Sequence, residues 1–249
     1  MSSNEISFAM LGSSGAGKTT LLACMNKQLE QLNPGTFFPK DPRSFSTLNR
    51  AYNALKDEAN DRTHYEFGVG VVGTEALSEY VFTIRGGSGS TDAKFYDFPG
   101  GWMNPDDAEN FDKVREILSN SMAVIAAVNT PYLMESGGKF KSRARIPEMI
   151  HLMKMSLEDN SQDKLFLIVP IKCEKYTRTP KDKERLQTVL SEEFDEVFRL
   201  HDNPSYKGKT RYSHAPCSHG GQCLLQQIRP RRPGGLHQKQ EYGFLASVR

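Results

Sequence analysis

Gly12-Ser13-Ser14-Gly15-Ala16-Gly17-Lys18-Thr19 fits the pattern G-x-x-x-x-G-K-[ST], and a second threonine, Thr20, follows it. Residues of these types at this spacing are suited to holding phosphate esters. The glycines let successive backbone N–H groups turn inward around an anion. A helix beginning near Gly17 would add the positive end of its dipole to the same place. Lys18 would then reach the β and γ phosphates of a nucleotide. The Thr19 hydroxyl is a hard oxygen donor of the kind Mg²⁺ prefers.

A second group lies further along. Asp97 ends the run Phe95-Tyr96 and opens Asp97-Phe98-Pro99-Gly100, a D-x-x-G sequence. A carboxylate at the carboxyl end of a strand beside the phosphate loop can hold Mg²⁺ through water. Gly100 can offer its N–H to a γ-phosphate. Thr74, within Gly73-Thr74-Glu75, is the expected third contributor to the Mg²⁺ shell, with Thr36, Thr47 and Thr63 as its competitors.

Positioning these residues requires alternating strands and helices. Ile6 to Leu11 reads as a strand entering the phosphate loop, and Leu21, Leu22, Met25, Leu29 and Leu32 carry a helical period after it. Phe37 to Ser44 is expected to be a loop. Phe45, Leu48, Tyr52 and Leu55 then mark a second amphipathic helix within an insertion covering about residues 36–72. Tyr80 to Arg85 and Ala93 to Phe98, joined by a Gly/Ser-rich linker, predict an antiparallel hairpin of the second and third strands. The continuous apolar runs Met122 to Val128 and Leu165 to Ile171 predict strands buried on both faces. Helices are expected over Asp106 to Leu118, Lys141 to Leu157 and Lys181 to Leu200. The whole predicts an α/β fold, a mostly parallel sheet with helices on both faces.

Composition bounds the rest. The chain has 249 residues, 37% of them hydrophobic and 25% charged, and no apolar run of membrane-spanning length. The polar start, Met1 to Glu5, lacks the basic and apolar regions of a secretory signal, so a cytoplasmic location is expected. Four cysteines do not make a disulfide framework, and reduced thiols are the expectation. The formal net charge of +2 conceals an uneven distribution. Residues 201–249 hold 8 basic and 2 acidic side chains, a net +6, whereas residues 1–200 net −4. The expected organisation is one domain over 1–200 and a basic, Pro/Gly-rich, flexible segment over 201–249. Binding of nucleic acid by that segment is not the favoured reading. His214, Cys217, His219 and Cys223 match no common zinc spacing.

The order GSSGAGKTT, then DFPGGW, then a buried strand ending IKCEKY resembles the Ras-like TRAFAC class of P-loop GTPases, and within it the divergent bacterial double-GTPase-type domains. The resemblance spans about residues 5–200. It implies a Ras-like P-loop NTPase sheet, GTP/GDP and Mg²⁺ as ligands, a switch cycle with a protein partner at the switch regions, and a base-recognition sequence [NT]-K-x-D after the fifth strand. Ile171-Lys172-Cys173-Glu174 stands at that place and departs at two positions. Glu174 can still accept from guanine N1–H and the exocyclic amine, and Lys172 can lie along the base plane. Ile171 has no polar group to tie the loop to the phosphate site. Ser213-His214-Ala215 is a candidate for the loop that supports the base.

The expected activity is slow GTP hydrolysis. Gly101 and Trp102 follow Gly100, and neither has a side-chain amide to orient the attacking water. Arg43, Arg50, Arg62 and Arg85 are candidates to assist in cis. An ATP-using P-loop enzyme and a non-hydrolysing nucleotide-bound scaffold are the alternatives.

Overall fold

The computed structural model describes residues 5–32, 34–60, 74–86, 89–135, 139–159, 163–200, 210–214, 217–218 and 222–223. The chain runs β1 (Glu5–Leu11), α1 (Lys18–Leu32), β2 (Phe37–Pro39), α2 (Pro42–Asn60), β3 (Ser78–Gly86), β4 (Gly89–Asp97), α3 (Ala108–Asn120), β5 (Ala123–Asn129) and α4 (Thr130–Met134). It continues with α5 (Lys141–Ala144), α6 (Ile146–Glu158), β6 (Lys164–Ile171), α7 (Pro180–Glu193), α8 (Asp195–Leu200), β7 (Thr210–His214), β8 (Cys217–Ser218) and β9 (Gln222–Cys223). Seven strands form one mixed sheet in the order β2-β3-β4-β1-β5-β6-β7. Pairings from β4 through β1, β5 and β6 to β7 are parallel, and β2-β3 and β3-β4 are antiparallel.

Alternation along the strands divides the core between the two faces of the sheet. Ala9, Leu11, Val124, Ala126, Val128, Phe166 and Ile168 bury against Val114 and Leu118 of α3, Met149 and Met153 of α6, and Leu186 of α7. Met10, Ile125, Phe82, Ala93, Phe95 and Val169 bury against Leu22 and Ala23 of α1 and Leu48 and Ala51 of α2. Helices thus cover both faces. Every residue of β5 is buried, as the apolar run Ala123 to Val128 requires, and the polar Asn129 at its end is buried with them.

The structure departs from the sequence expectations in five places. The stretch from Phe37 is not all loop: Phe37–Pro39 forms a short edge strand, with Phe37 stacked on Phe82 at 4.6 Å between ring centroids. Three residues ending in proline carry no alternation to read. The hairpin is therefore made by the third and fourth strands. The helix expected over Lys141 to Leu157 is two helices, parted at Arg145, because Pro147 has no N–H to offer the carbonyl of Arg143. The helix expected to Leu200 is likewise parted at Phe194, which turns out of helical dihedrals with its ring fully buried. Thr210–His214 joins the sheet beside β6, so the sheet extends past residue 200. No helix among the described residues is long and apolar enough to cross a membrane.

One buried cation braces the frame. Lys164, 1% exposed, begins β6 and donates to the carbonyls of Leu118, Ser119 and Ser121 at 2.8–2.9 Å, closing the carboxyl end of α3. Burial pulls its ammonium pKa down to about 8. Lys164→Met keeps the bulk but leaves those carbonyls without their donor. Urea unfolding should show a loss of about 3 kcal/mol.

Candidate functional site

The site is built where strand ends meet. Met10 of β1 is in register with Asp97 of β4, so the carboxylate arrives level with the residues that lead into the phosphate loop. The loop then turns tightly. Gly12 has φ 155°, and an added Cβ would lie 2.7 Å from the Ala127 carbonyl oxygen on β5, so a side chain there would collide with the neighbouring strand. Ser13 is buried, Ser14 and Gly15 are exposed, and Ala16 is buried, its N–H bonded to the Ser13 carbonyl at 3.1 Å. Helix α1 starts at Lys18 with no acidic residue of its own in its first turn, and the carboxylate at its positive end is that of Asp97 from β4. Thr20 continues that first turn, half-buried.

Lys18 is 5% exposed and Asp97 fully buried, with Nζ 3.9 Å from Oδ1. That is an ion pair without a hydrogen bond. Lys18 Nζ instead donates to the Gly12 carbonyl at 3.2 Å. Burial lowers the Lys18 pKa, with the Asp97 charge opposing. Burial also raises the Asp97 pKa, against the pull of Lys18, Thr19 and Thr74. Each charge is thus poorly compensated, and Asp97 Oδ1 and the Ser13 hydroxyl are buried with no hydrogen-bond partner among the described residues.

Three oxygens converge beside the pair. Thr19 Oγ1 lies 2.5 Å from Asp97 Oδ2, Thr74 Oγ1 lies 3.2 Å from the same oxygen, and the two hydroxyls are 3.2 Å apart. Ligands at about 2.1 Å around an octahedral Mg²⁺ sit about 3 Å from one another along an edge. Two of the three separations are close to such an edge, the shorter Thr19–Asp97 distance being a hydrogen bond, and the donor set is all oxygen. Of the competing threonines, Thr47 lies on α2, Thr36 contributes its carbonyl to Arg85 N–H at the β2 end, and Thr63 is outside the described residues.

After Asp97 the chain is held down on both sides of Gly100 by the buried Phe98 and Met103, and Gly100–Met103 forms a short 3-10 turn. Gly100 rests on the phosphate loop itself, since an added Cβ would lie 2.2 Å from the Ser14 nitrogen and 2.8 Å from the Gly12 carbonyl. Trp102, partly buried, packs against the core beneath.

At the other side, Lys172 has φ 58° and its Nζ donates to the Gly15 carbonyl at 3.0 Å. Ile171 stands where a polar residue was expected, and its Cγ2 would lie 3.3 Å from a Cβ added at Gly17, closer than an ordinary contact. Glu174 is exposed at the start of a 3-10 turn, Glu174–Tyr176. That turn is tied to the end of α4 by Tyr176 Oη donating to Glu135 at 2.7 Å and Lys175 at 3.0 Å. Burial and the Glu135 carboxylate both push the Tyr176 pKa up. Cys173, expected to be a reduced thiol, is disulfide-bonded and fully buried. Ser213 and His214 close β7, and Ala215 lies outside the described residues.

The sequence reading did not single out Asn129, Thr130 or Arg145. Asn129 ends β5 in register with Ile171, and its Oδ1 and the Thr130 hydroxyl are buried without partners. A polar pair closing the wholly apolar run Ala123 to Val128 was the available signal. Arg145 NH1 donates to the Gly100 carbonyl at 3.2 Å, and nothing in the local sequence announces it. Of the arginines that could assist in cis, Arg85 stacks on Phe38 at the hairpin end, Arg43 and Arg50 are on α2, and Arg62 is outside the described residues.

No family model matches the chain, and no curated protein matches it. Among solved structures it is similar to the Ski7 GTPase-like domain of S. cerevisiae bound to GTP, at 14% identity and a TM-score of 0.45, over 85% of this chain and 42% of that one. The same domain bound to GDP and inorganic phosphate gives 15% and 0.43, over 85% and 43%. The Roco2 RocCORdC of Methanosarcina barkeri bound to GDP gives 14% and 0.36, over 85% and 43%. The chain spans less than half the length of each. At these values the likeness carries no weight for the site, whose reading rests on its own geometry.

Trp102 is the sole tryptophan and lies two residues beyond Gly100, so it reports on this loop. Gly100→Ala should lift the loop off Ser14 and shift Trp102 emission to longer wavelength, with the far-ultraviolet circular dichroism unchanged. An unshifted emission maximum would mean that the close contact does not hold the loop.

Proposed function

We propose that the chain is a Mg²⁺-dependent guanine-nucleotide-binding switch of the Ras-like kind, with slow GTP hydrolysis. The observation that carries the proposal is the convergence of Lys18, Asp97, Thr19 and Thr74 beside the amino end of α1. Residues 12–20 would cradle the phosphates, with Lys18 on the β and γ groups and Gly100 N–H facing the γ group. Thr19, Thr74 and Asp97 would hold Mg²⁺, which when bound neutralises phosphate charge. An arriving phosphate favours the Lys18 ammonium and the cation favours the Asp97 carboxylate, reversing what burial alone does to both.

Base choice rests on Glu174 and Lys172. The Lys172 bond to the Gly15 carbonyl fastens the base loop to the phosphate loop despite Ile171, and leaves the lysine's aliphatic stem available to a base plane. Glu174 is in the open, where its carboxylate can accept from guanine but not from adenine in the same way. The parts that would contact the γ-phosphate, Thr74 and Gly100, belong to loops on one side of the cradle, and a protein partner would read their position.

Titration of the wild-type chain with Mg²⁺ and GTP or ATP, followed through Trp102 emission, tests this reading. GTP should bind more tightly than ATP, and equal affinities would remove the guanine assignment while leaving the phosphate site. Lys18→Ala should weaken both by at least about 30-fold, because it removes a buried charge from the phosphates. A folded Lys18→Ala protein with wild-type affinity would refute the phosphate site. Glu174→Ala should narrow the GTP to ATP ratio by about 10-fold. Single-turnover GTP hydrolysis should run at roughly 10⁻⁴ to 10⁻² s⁻¹ without a partner, since neither Gly101 nor Trp102 can orient water through an amide. Several turnovers per second would contradict a partner-dependent switch.

A further inference from the structure

We propose that Arg145 is a positioning residue for the Asp97–Gly100 loop, fixing Gly100 against the phosphate cradle and so setting the preference for a nucleoside triphosphate over a diphosphate. The inference rests on the nucleotide-binding reading above. Arg145 stands at the joint between α5 and α6, 45 residues beyond Gly100, and reaches back to donate from NH1 to its carbonyl at 3.2 Å. Its Nε lies 3.5 Å from Glu148 Oε1, so the guanidinium is oriented between a carboxylate and the loop. The side chain is 26% exposed, which keeps both contacts partly out of water.

The backbone explains why this residue is notable. Arg145 has φ 57° and ψ 38°, the left-handed conformation that glycine or asparagine adopts at lower cost. Its side chain makes no capping hydrogen bond to α6. Within the helix joint the local partner of the guanidinium is Glu148, and the bond to Gly100 is the contact that carries it beyond the joint. That bond bears on a sensitive point. Gly100 is buried and lies against Ser13 and Ser14, where a Cβ would overlap backbone. A charge-assisted donor on its carbonyl fixes the peptide plane and keeps the loop seated.

The consequence separates two ligands. In the proposed site Gly100 meets only the γ-phosphate, so a loosened loop should cost affinity for a triphosphate and leave a diphosphate alone. Arg43, Arg50, Arg62 and Arg85 are not needed for this role. The segment holding Arg145 becomes a second place, besides the loops themselves, where a γ-phosphate would be felt.

The test is equilibrium binding of Mg²⁺ with GDP and with the non-hydrolysable β,γ-imido analogue of GTP to wild type, Arg145→Ala and Arg145→Lys, with melting temperatures measured alongside. Arg145→Ala should lose about 10-fold in affinity for the analogue and less than about 2-fold for GDP, and Arg145→Lys, which keeps one charged donor, should fall between. An unchanged analogue-to-GDP ratio in Arg145→Ala, with or without a lower melting temperature, would overturn the inference and leave Arg145 a residue of the helix joint. Failure of wild type to bind either ligand would instead overturn the nucleotide-binding reading, and this inference with it.

Discussion

Lys18 and Asp97 face each other at 3.9 Å in a place from which water is nearly excluded, and the surrounding structure is arranged around that pairing. A buried ion pair is expensive to desolvate and returns that cost only with good geometry and satisfied lone pairs. Here the geometry is incomplete. Lys18 makes its one hydrogen bond to Gly12, and Asp97 Oδ1 has none. A pair of this kind is costly as a structural element, but it suits a site whose missing partners are an anion for the lysine and a cation for the carboxylate.

The fold supplies what the pair requires. Parallel pairing of β1 with β4 and β5 brings three strand ends to one level, and close packing of Gly12 on Ala127 lets the loop turn there. The core on both faces holds these ends still, and Phe98 and Met103 anchor the loop between them. Around this fixed centre sit parts joined to it by one or two hydrogen bonds. Lys172 reaches Gly15, Thr74 reaches Thr19 and Asp97, and Arg145 reaches Gly100. Such lightly tethered parts can respond to a ligand without disturbing the core.

Much of this was legible in the sequence because it is local. Gly12 to Thr19 declares its turn through residue type, and β5 and β6 through unbroken apolar runs. Thr74 could be chosen from its place before the hairpin, and the structure sets it beside Thr19. What was not legible is what depends on distant contacts. The Phe37–Pro39 strand exists because β3 offers it an edge, and the break at Arg145 needs Pro147 and Gly100 considered together. β7 follows a stretch that holds Pro204 and Gly208 and carries no apolar period, and it takes its place by pairing with β6. The loop after β6 half fulfils the pattern [NT]-K-x-D, and Lys172 ties it to Gly15 where Ile171 offers no polar group.

In the proposed function a Mg²⁺-bound nucleoside phosphate completes the buried pair. Thermal unfolding with added ligand tests it most directly, since whatever binds only the folded state stabilises it. At about 100 times the dissociation constant, Mg²⁺ with GDP should add about 2.7 kcal/mol, which for a chain of this size corresponds to a rise in Tm of about 5–10 °C. Guanosine with Mg²⁺, which lacks phosphate, should leave Tm where it was. An equal Tm with and without Mg²⁺ and saturating GDP or GTP would contradict the account.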